Sequence, residues 1–240
     1  MKDIQSQLDH NRINIKKVGV KTISYPITVL DKAKSKQRTI AMVNMYVNLP
    51  HHFKGTHMSR FVEILNRFHG EIDLNSFHTI LEEMKSRLEA EAAHIEMAFS
   101  YFLARPQRQQ SLKGDHYDCR MHGSLEENDD LEFSVDVPVS LPFPGQGDQG
   151  LPRSPGHWGK ARVSVRFNHF IWIEDLITLV EGAIDKERQE CLQQISGPFS
   201  VESLTRTIGT TLSDQEAIKW FSVTVENLAE GYSTFAVSSG

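Results

Sequence analysis

The chain has 240 residues, 39% of them hydrophobic and 24% charged, with a formal net charge of −5. That length can bury a sizeable core, and the acidic balance argues against a nucleic-acid partner held by bulk positive charge. No apolar run reaches membrane-spanning length, the polar start MKDIQSQLDHNRINIKK lacks the apolar stretch of a signal peptide, and two cysteines make no disulfide framework. A cytoplasmic protein with no membrane partner is expected.

Residues 18–31, VGVKTISYPITVLD, are rich in β-branched side chains and read as a strand; 38–49, RTIAMVNMYVNL, reads as its hairpin partner. Gly55 and Thr56 then suit a helix start, and Met58, Phe61, Val62, Leu65 and Phe68 recur at helical spacing. A second helix is predicted from Asn75 or Ser76, with Phe77, Leu81, Met84 and Leu88 as its apolar stripe. Strands follow over 92–104, where Ile95, Met97, Phe99 and Tyr101 alternate with His94, Glu96, Ala98 and Ser100, and over 116–125.

The second half repeats that order. Strands are predicted over 131–143 and 161–173, a helix from Glu174, a second helix opened by Ser200, and strands over 218–228 and 231–239. Between the first two lies SLPFPGQGDQGLPRSPGHWGKAR, residues 140–162, dense in glycine and proline, which places His157 in a loop. Each half reads strand, strand, helix, helix, strand, strand. The expected class is α+β, with antiparallel sheets carrying helices on one face. The expected division is an extension over 1–17, a first unit over 18–127 and a second over 128–240. Small sheets leave exposed edges, so an oligomer is expected.

VGVKTISYPITVLD, VNMYVNLPHHFKGTHMSRFVEIL, EAAHIE and FIWIEDLI resemble the type IB GTP cyclohydrolase I family of the tunnelling-fold (T-fold) superfamily. The resemblance implies a tandem T-fold, a homotetramer with sites at subunit interfaces, and conversion of GTP and water to 7,8-dihydroneopterin triphosphate and formate. GTP or a related purine or pterin would be the ligand. Attack of water on a purine carbon suits a metal-bound hydroxide, and the resemblance implies a divalent metal, Zn or Mn.

In the family the 140–162 position carries a Cys-Pro-Cys-Ser-Lys-Glu motif followed by Ala-His-Asn-Gln-Arg. Here its histidine falls on His157, its final basic residue on Lys160, and its cysteines on or near Gly145 and Gly147. The family's Val-Glu-Asp survives as Val201-Glu202-Ser203, so Glu202 keeps a substrate-binding carboxylate. Near the end, Ala229 stands where the family has its purine-anchoring glutamate, with Glu230 beside it, and Tyr232 and Thr234 replace two histidines. The chain thus resembles a member lacking several catalytic-loop residues, in which metal is expected to be weakly held or absent.

Candidate site residues follow. His157 is a catalytic and metal-binding candidate, or a loop histidine. Glu202 is a substrate carboxylate, or serves the helix dipole. Lys54, His57 and Arg60, beside His51 and His52 at a helix N-terminus, can cradle phosphates or cap the helix; Lys160 and Glu230 complete the substrate-binding set. Glu63, one turn from Arg60, reads as its ion-pair partner. His116 and His122 share a strand face from which Cys119 points away, and Cys191 reads as a small core residue. Two functions stay open: a GTP cyclohydrolase, or a catalytically silent or repurposed T-fold protein that binds a purine or pterin or serves a regulatory or structural role.

Overall fold

The strands are set by alternation of side chains along the backbone, and the helices by the stripe each lays on the apolar face so created. The computed structural model describes residues 15–32, 35–49, 57–68, 74–103, 116–140, 157–193, 199–229 and 231–240. Along these run β1 (Ile15–Asp31), β2 (Ser35–Leu49), α1 (Met58–Arg67), α2 (Leu74–Arg87), β3 (Ala92–Phe102), β4 (His116–Leu125), β5 (Asp129–Ser140), β6 (His157–Phe167), α3 (Ile173–Leu192), α4 (Val201–Ser213), β7 (Ile218–Ala229) and β8 (Tyr232–Ser239). The class is α+β. The strands follow chain order, β1-β2-β3-β4-β5-β6-β7-β8, and the pairs β1–β2, β2–β3, β3–β4, β6–β7 and β7–β8 are antiparallel.

The chain divides into Met1–Phe133 and Ser134–Gly240, so the boundary falls inside β5. In the first unit Val43, Met45 and Val47 of β2 and Ile95, Met97 and Phe99 of β3 are buried. α2 lies on β3 and β4, and α1 packs on α2 and β1. Phe77, Ile80, Leu81 and Met84 form the buried face of α2. On α1 the buried residues are Phe61, Ile64 and Leu65, whereas Met58 and Val62 are exposed. The inward stripe is therefore rotated from the one the spacing suggests. Tyr25 of β1 donates to the Leu65 carbonyl at 3.3 Å and fixes that end of the helix.

In the second unit Ala161, Val163 and Val165 of β6 and Phe221, Val223 and Val225 of β7 are buried. α4 packs on β7 and β8, with α3 against α4. A capping box opens α4: the Ser200 hydroxyl accepts from the Ser203 amide at 3.1 Å, and the Ser200 amide donates to the Ser203 hydroxyl at 3.2 Å.

β6 differs from its expectation at both ends. It begins at His157, so Trp158, Gly159 and Lys160 are strand and not loop, and it stops at Phe167. There the Asn168 backbone N–H donates to the Ala217 carbonyl and its side-chain Nδ2 to the Glu216 carbonyl, both at 2.9 Å. At the other end Gly159 lies so close to β7 that a Cβ would stand 1.8 Å from the Glu226 carbonyl oxygen. Gly159→Ala must push the two backbones apart, and a loss of about 1–3 kcal/mol in urea unfolding is expected; unchanged stability would mean that the strands separate there freely.

Candidate functional site

In the first unit the polar sides of β2, β3 and β4 meet. Asn44 pairs with Glu96, which pairs with His122; Tyr46 pairs with His94, which pairs with Ser124. This register brings residues far apart in sequence onto one sheet face. The Glu96 carboxylate accepts from Asn44 Nδ2 and from the Tyr46 hydroxyl, both at 2.9 Å. Lys17 Nζ lies 3.9 Å from the same carboxylate and 3.4 Å from the centre of the Tyr46 ring. His94 stacks on Tyr46 at 4.8 Å between ring centres, and His122 follows His94 at 6.1 Å.

These contacts set the protonation states. Partial burial works against ionisation of Glu96, but the bonds from Asn44 and Tyr46, with the Lys17 charge, outweigh it and hold the carboxyl below its ordinary value. Burial, then the hydrogen bond and charge of Glu96, push the Tyr46 phenol up to about 12. Burial, then the neighbouring His122, lower His94. The arrangement is an ionised carboxylate whose acceptors are already engaged, flanked by imidazoles.

The second unit carries a matching polar face. Arg162 grips Asp136 with two bonds of 2.7 and 2.9 Å, which raises the guanidinium further. Lys160 lies 3.8 Å from Asp136 and 3.5 Å from Glu226, its cross-strand neighbour. Ser134 and Ser164 hydroxyls bond at 2.7 Å.

The candidates from sequence fall as follows. Lys160 is spent in this ion-pair network. Arg60 donates to the Arg87 carbonyl at 3.2 Å and ties α1 to the end of α2; Glu63 pairs instead with Arg87 at 3.6 Å. His57 is the N-cap residue of α1, its carbonyl accepting from the Arg60 amide at 3.1 Å, with no side-chain cap bond. Glu202 is exposed on the first turn of α4, and its own backbone amide, then the Ser200 side chain, hold its carboxyl below the ordinary value. Its carboxylate is held within the start of its own helix. His157 begins β6, and its side chain, Lys54, Glu230, His51, His52 and residues 141–156 lie outside the described residues. Cys119 is buried at 1% exposure, and Cys191 is half-exposed and not core.

Among the described residues no three histidine, cysteine or acidic side chains gather to hold a metal ion. The side chain of His157, the metal candidate read from the sequence, lies outside the residues so described. Among them, too, no helix is long and apolar enough to cross a membrane. The polar cluster around Glu96 was legible only in part: EAAHIE displays His94 and Glu96 on one strand face, but Lys17, Asn44, Tyr46 and His122 join them through register. Alternation in VNMYVNL, which sets Asn44 and Tyr46 on one side, is the signal that finds half of them.

Residues 1–230 match the family described as Type I GTP cyclohydrolase folE2. The chain belongs to that family. A protein named GTP cyclohydrolase FolE2 from Syntrophobacter fumaroxidans is 44% identical over 240 residues, covering 95% of this chain and 93% of the relative. One of the same name from Syntrophus aciditrophicus is 42% identical, covering 95% and 94%. The family assignment read from the motifs is corrected accordingly: the match is to folE2, not to the type IB GTP cyclohydrolase I family. Among solved structures the chain resembles uricase from Arthrobacter globiformis, with a TM-score of 0.56, 6% identity and coverage of 99% and 95%. Urate oxidase from Bacillus sp. TB-90 gives a TM-score of 0.58, 7% identity and coverage of 94% and 99%. The shared property is the uricase-like tunnelling fold.

The Glu96 cluster makes a stability difference that depends on pH. In the unfolded chain this carboxyl titrates at its ordinary value, in the fold at a lower one, so on acidification the unfolded state takes the proton first. Its stabilisation is present above the ordinary carboxyl pKa and is lost as pH falls through the folded one. Glu96→Gln should cost about 1 kcal/mol at neutral pH, discounted for partial exposure. That gap should close below about pH 4. Urea unfolding of both proteins across pH checks it; a gap that persists at low pH contradicts the assignment.

Proposed function

We propose that the chain is a GTP cyclohydrolase that converts GTP and water to 7,8-dihydroneopterin triphosphate and formate. What carries the reading is the extent of the likeness: 44% identity to a FolE2 relative across 95% of the chain. The tunnelling fold supports it in kind. The two units would form a tandem T-fold, assembled as a homotetramer that closes the sheet edges and sets sites between subunits. A cytoplasmic location is proposed with it and rests on the two free cysteines.

Glu202 is the residue we assign to the purine. An ionised carboxylate offers two acceptor oxygens, the complement of the ring N–H and amino donors along one edge of guanine. Its place at a helix start keeps it ionised. Two basic candidates from the sequence are committed elsewhere, Lys160 to Asp136 and Glu226 and Arg60 to a carbonyl, so neither is assigned to the triphosphate. A divalent ion, Zn or Mn, would supply the activated water.

A second reading is favoured by the cysteine inventory. The thiols are Cys119, inside the core, and Cys191, on α3, and none lies in residues 140–162. A chain without a reactive thiol there fits a silent or repurposed protein that binds a purine or pterin without turning it over.

Incubation with GTP, followed by oxidation and fluorescence detection of neopterin, should yield product, with metal analysis run on the same sample. Calorimetric binding of GTP without product would support the second reading, and neither binding nor product would remove both. Glu202→Gln should weaken GTP binding about tenfold. Equal affinity in calorimetry would free Glu202 from this role. Light scattering should give a tetramer, and a stable monomer at micromolar concentration would sink the assembly.

A further inference from the structure

β1 carries a bulge opposite Asn44. The register passes from Val20–Met45 to Ile23–Val43, so Lys21 and Thr22 together face Asn44. Thr22 holds φ +59, a left-handed conformation costly for a β-branched residue. Its amide donates to Asn44 Oδ1 at 2.9 Å, so the side chain opposite replaces the missing ladder bond. Asn44 in turn is held by Glu96, Glu96 by the Tyr46 hydroxyl, and the Tyr46 ring by His94, which carries His122 on its far side. One contact chain thus runs from β4 through β3 and β2 to the edge strand β1.

Its far end is unfinished. His94 Nδ1 and His122 Nε2 are shut off from water and have no hydrogen-bond partner. A neutral imidazole tolerates this at modest cost. A protonated one turns both nitrogens into donors, and a buried donor without an acceptor is unfavourable. The rings are 6.1 Å apart and nearly parallel, so two protons also place two like charges face to face. The groups around the pair are Lys17 from β1, Tyr46 from β2, Glu96 on β3 and Glu126 after β4. Lys17 adds to the repulsion. Glu96 is already engaged by two donors, and Glu126 is the one remaining counter-charge in that set.

We propose that the stacked His94–His122 pair is a proton-operated latch on the β1 bulge, closed while the pair holds at most one proton and opened by the second. Separation of the rings lets both N–H groups reach water, unstacks Tyr46 and loosens the hold of Glu96 and Asn44 on Thr22. The depressed titration of His94 accords with this, its causes being burial and then His122. The sign follows: a histidine whose folded pKa is lowered takes its proton first in the open state, so the closed state loses ground as pH falls below the ordinary imidazole value.

Amide hydrogen exchange on the full chain, corrected for intrinsic rate, reads the Thr22 amide directly. Its protection factor should fall about tenfold between roughly pH 7.5 and 5.5 in the unaltered protein. In His122→Asn, which cannot take the second proton, protection should stay nearly level, and the His94 midpoint in side-chain NMR should move up. His122→Gln serves if the asparagine variant does not fold. Thr22 protection that stays flat with pH in the unaltered protein overturns the latch whatever the variants do. So does a variant that loses protection as the unaltered chain does.

Discussion

The antiparallel register, with its two-residue alternation, is the constraint on which the rest of this molecule depends. On β2 and β3 it sends Val43, Met45, Ile95 and Met97 beneath the helices, and by the same geometry it sends Asn44, Tyr46, His94 and Glu96 to the other side. The apolar half drives folding, since burial of such side chains is worth about 1.5–3 kcal/mol each. The polar half is a by-product that the chain has turned into a connected network. A slip of one residue in β3 would invert both halves at once. The core and the chemistry-bearing face are therefore not independent features.

The order of elements was legible because strand and helix periods are local. Every strand and helix reads from its own residues, and Ser200 announces α4 by a capping pattern that the structure contains. What failed locally failed for a reason. α1 offers apolar residues at 58, 61, 62, 64, 65 and 68, enough for two overlapping stripes, and the choice of Phe61, Ile64 and Leu65 is made by α2 and β1. His157 looked like loop because glycine and proline precede it. Gly159 belongs to a strand because it lets β6 approach the Glu226 carbonyl, a contact that no local pattern records.

The candidate site was less legible, and the difference is one of sequence distance. Lys160 and Arg60 read as substrate-binding cations, Arg60 with Glu63 as its partner. Their partners in the structure, Asp136, Glu226 and the Arg87 carbonyl, lie 24 or more residues away and arrive only with register and helix packing. Lys17 and Glu96 are likewise joined across β2. The position of Glu202 in the first turn of α4 was readable because its environment is its own helix start. The motifs led to GTP cyclohydrolase chemistry, while the family itself was set by comparison of the whole chain.

Cys119 has a use that follows from its place. It sits on β4 at 1% exposure, opposite Phe99, while Cys191 on α3 is half-exposed. A thiol reagent meets Cys191 in the native state but reaches Cys119 only when the first unit's sheet parts from its helices. The two residues, one in each unit, therefore form a reference and a reporter within one molecule. The slower labelling event counts openings of the first unit directly, giving its local stability without any probe being introduced.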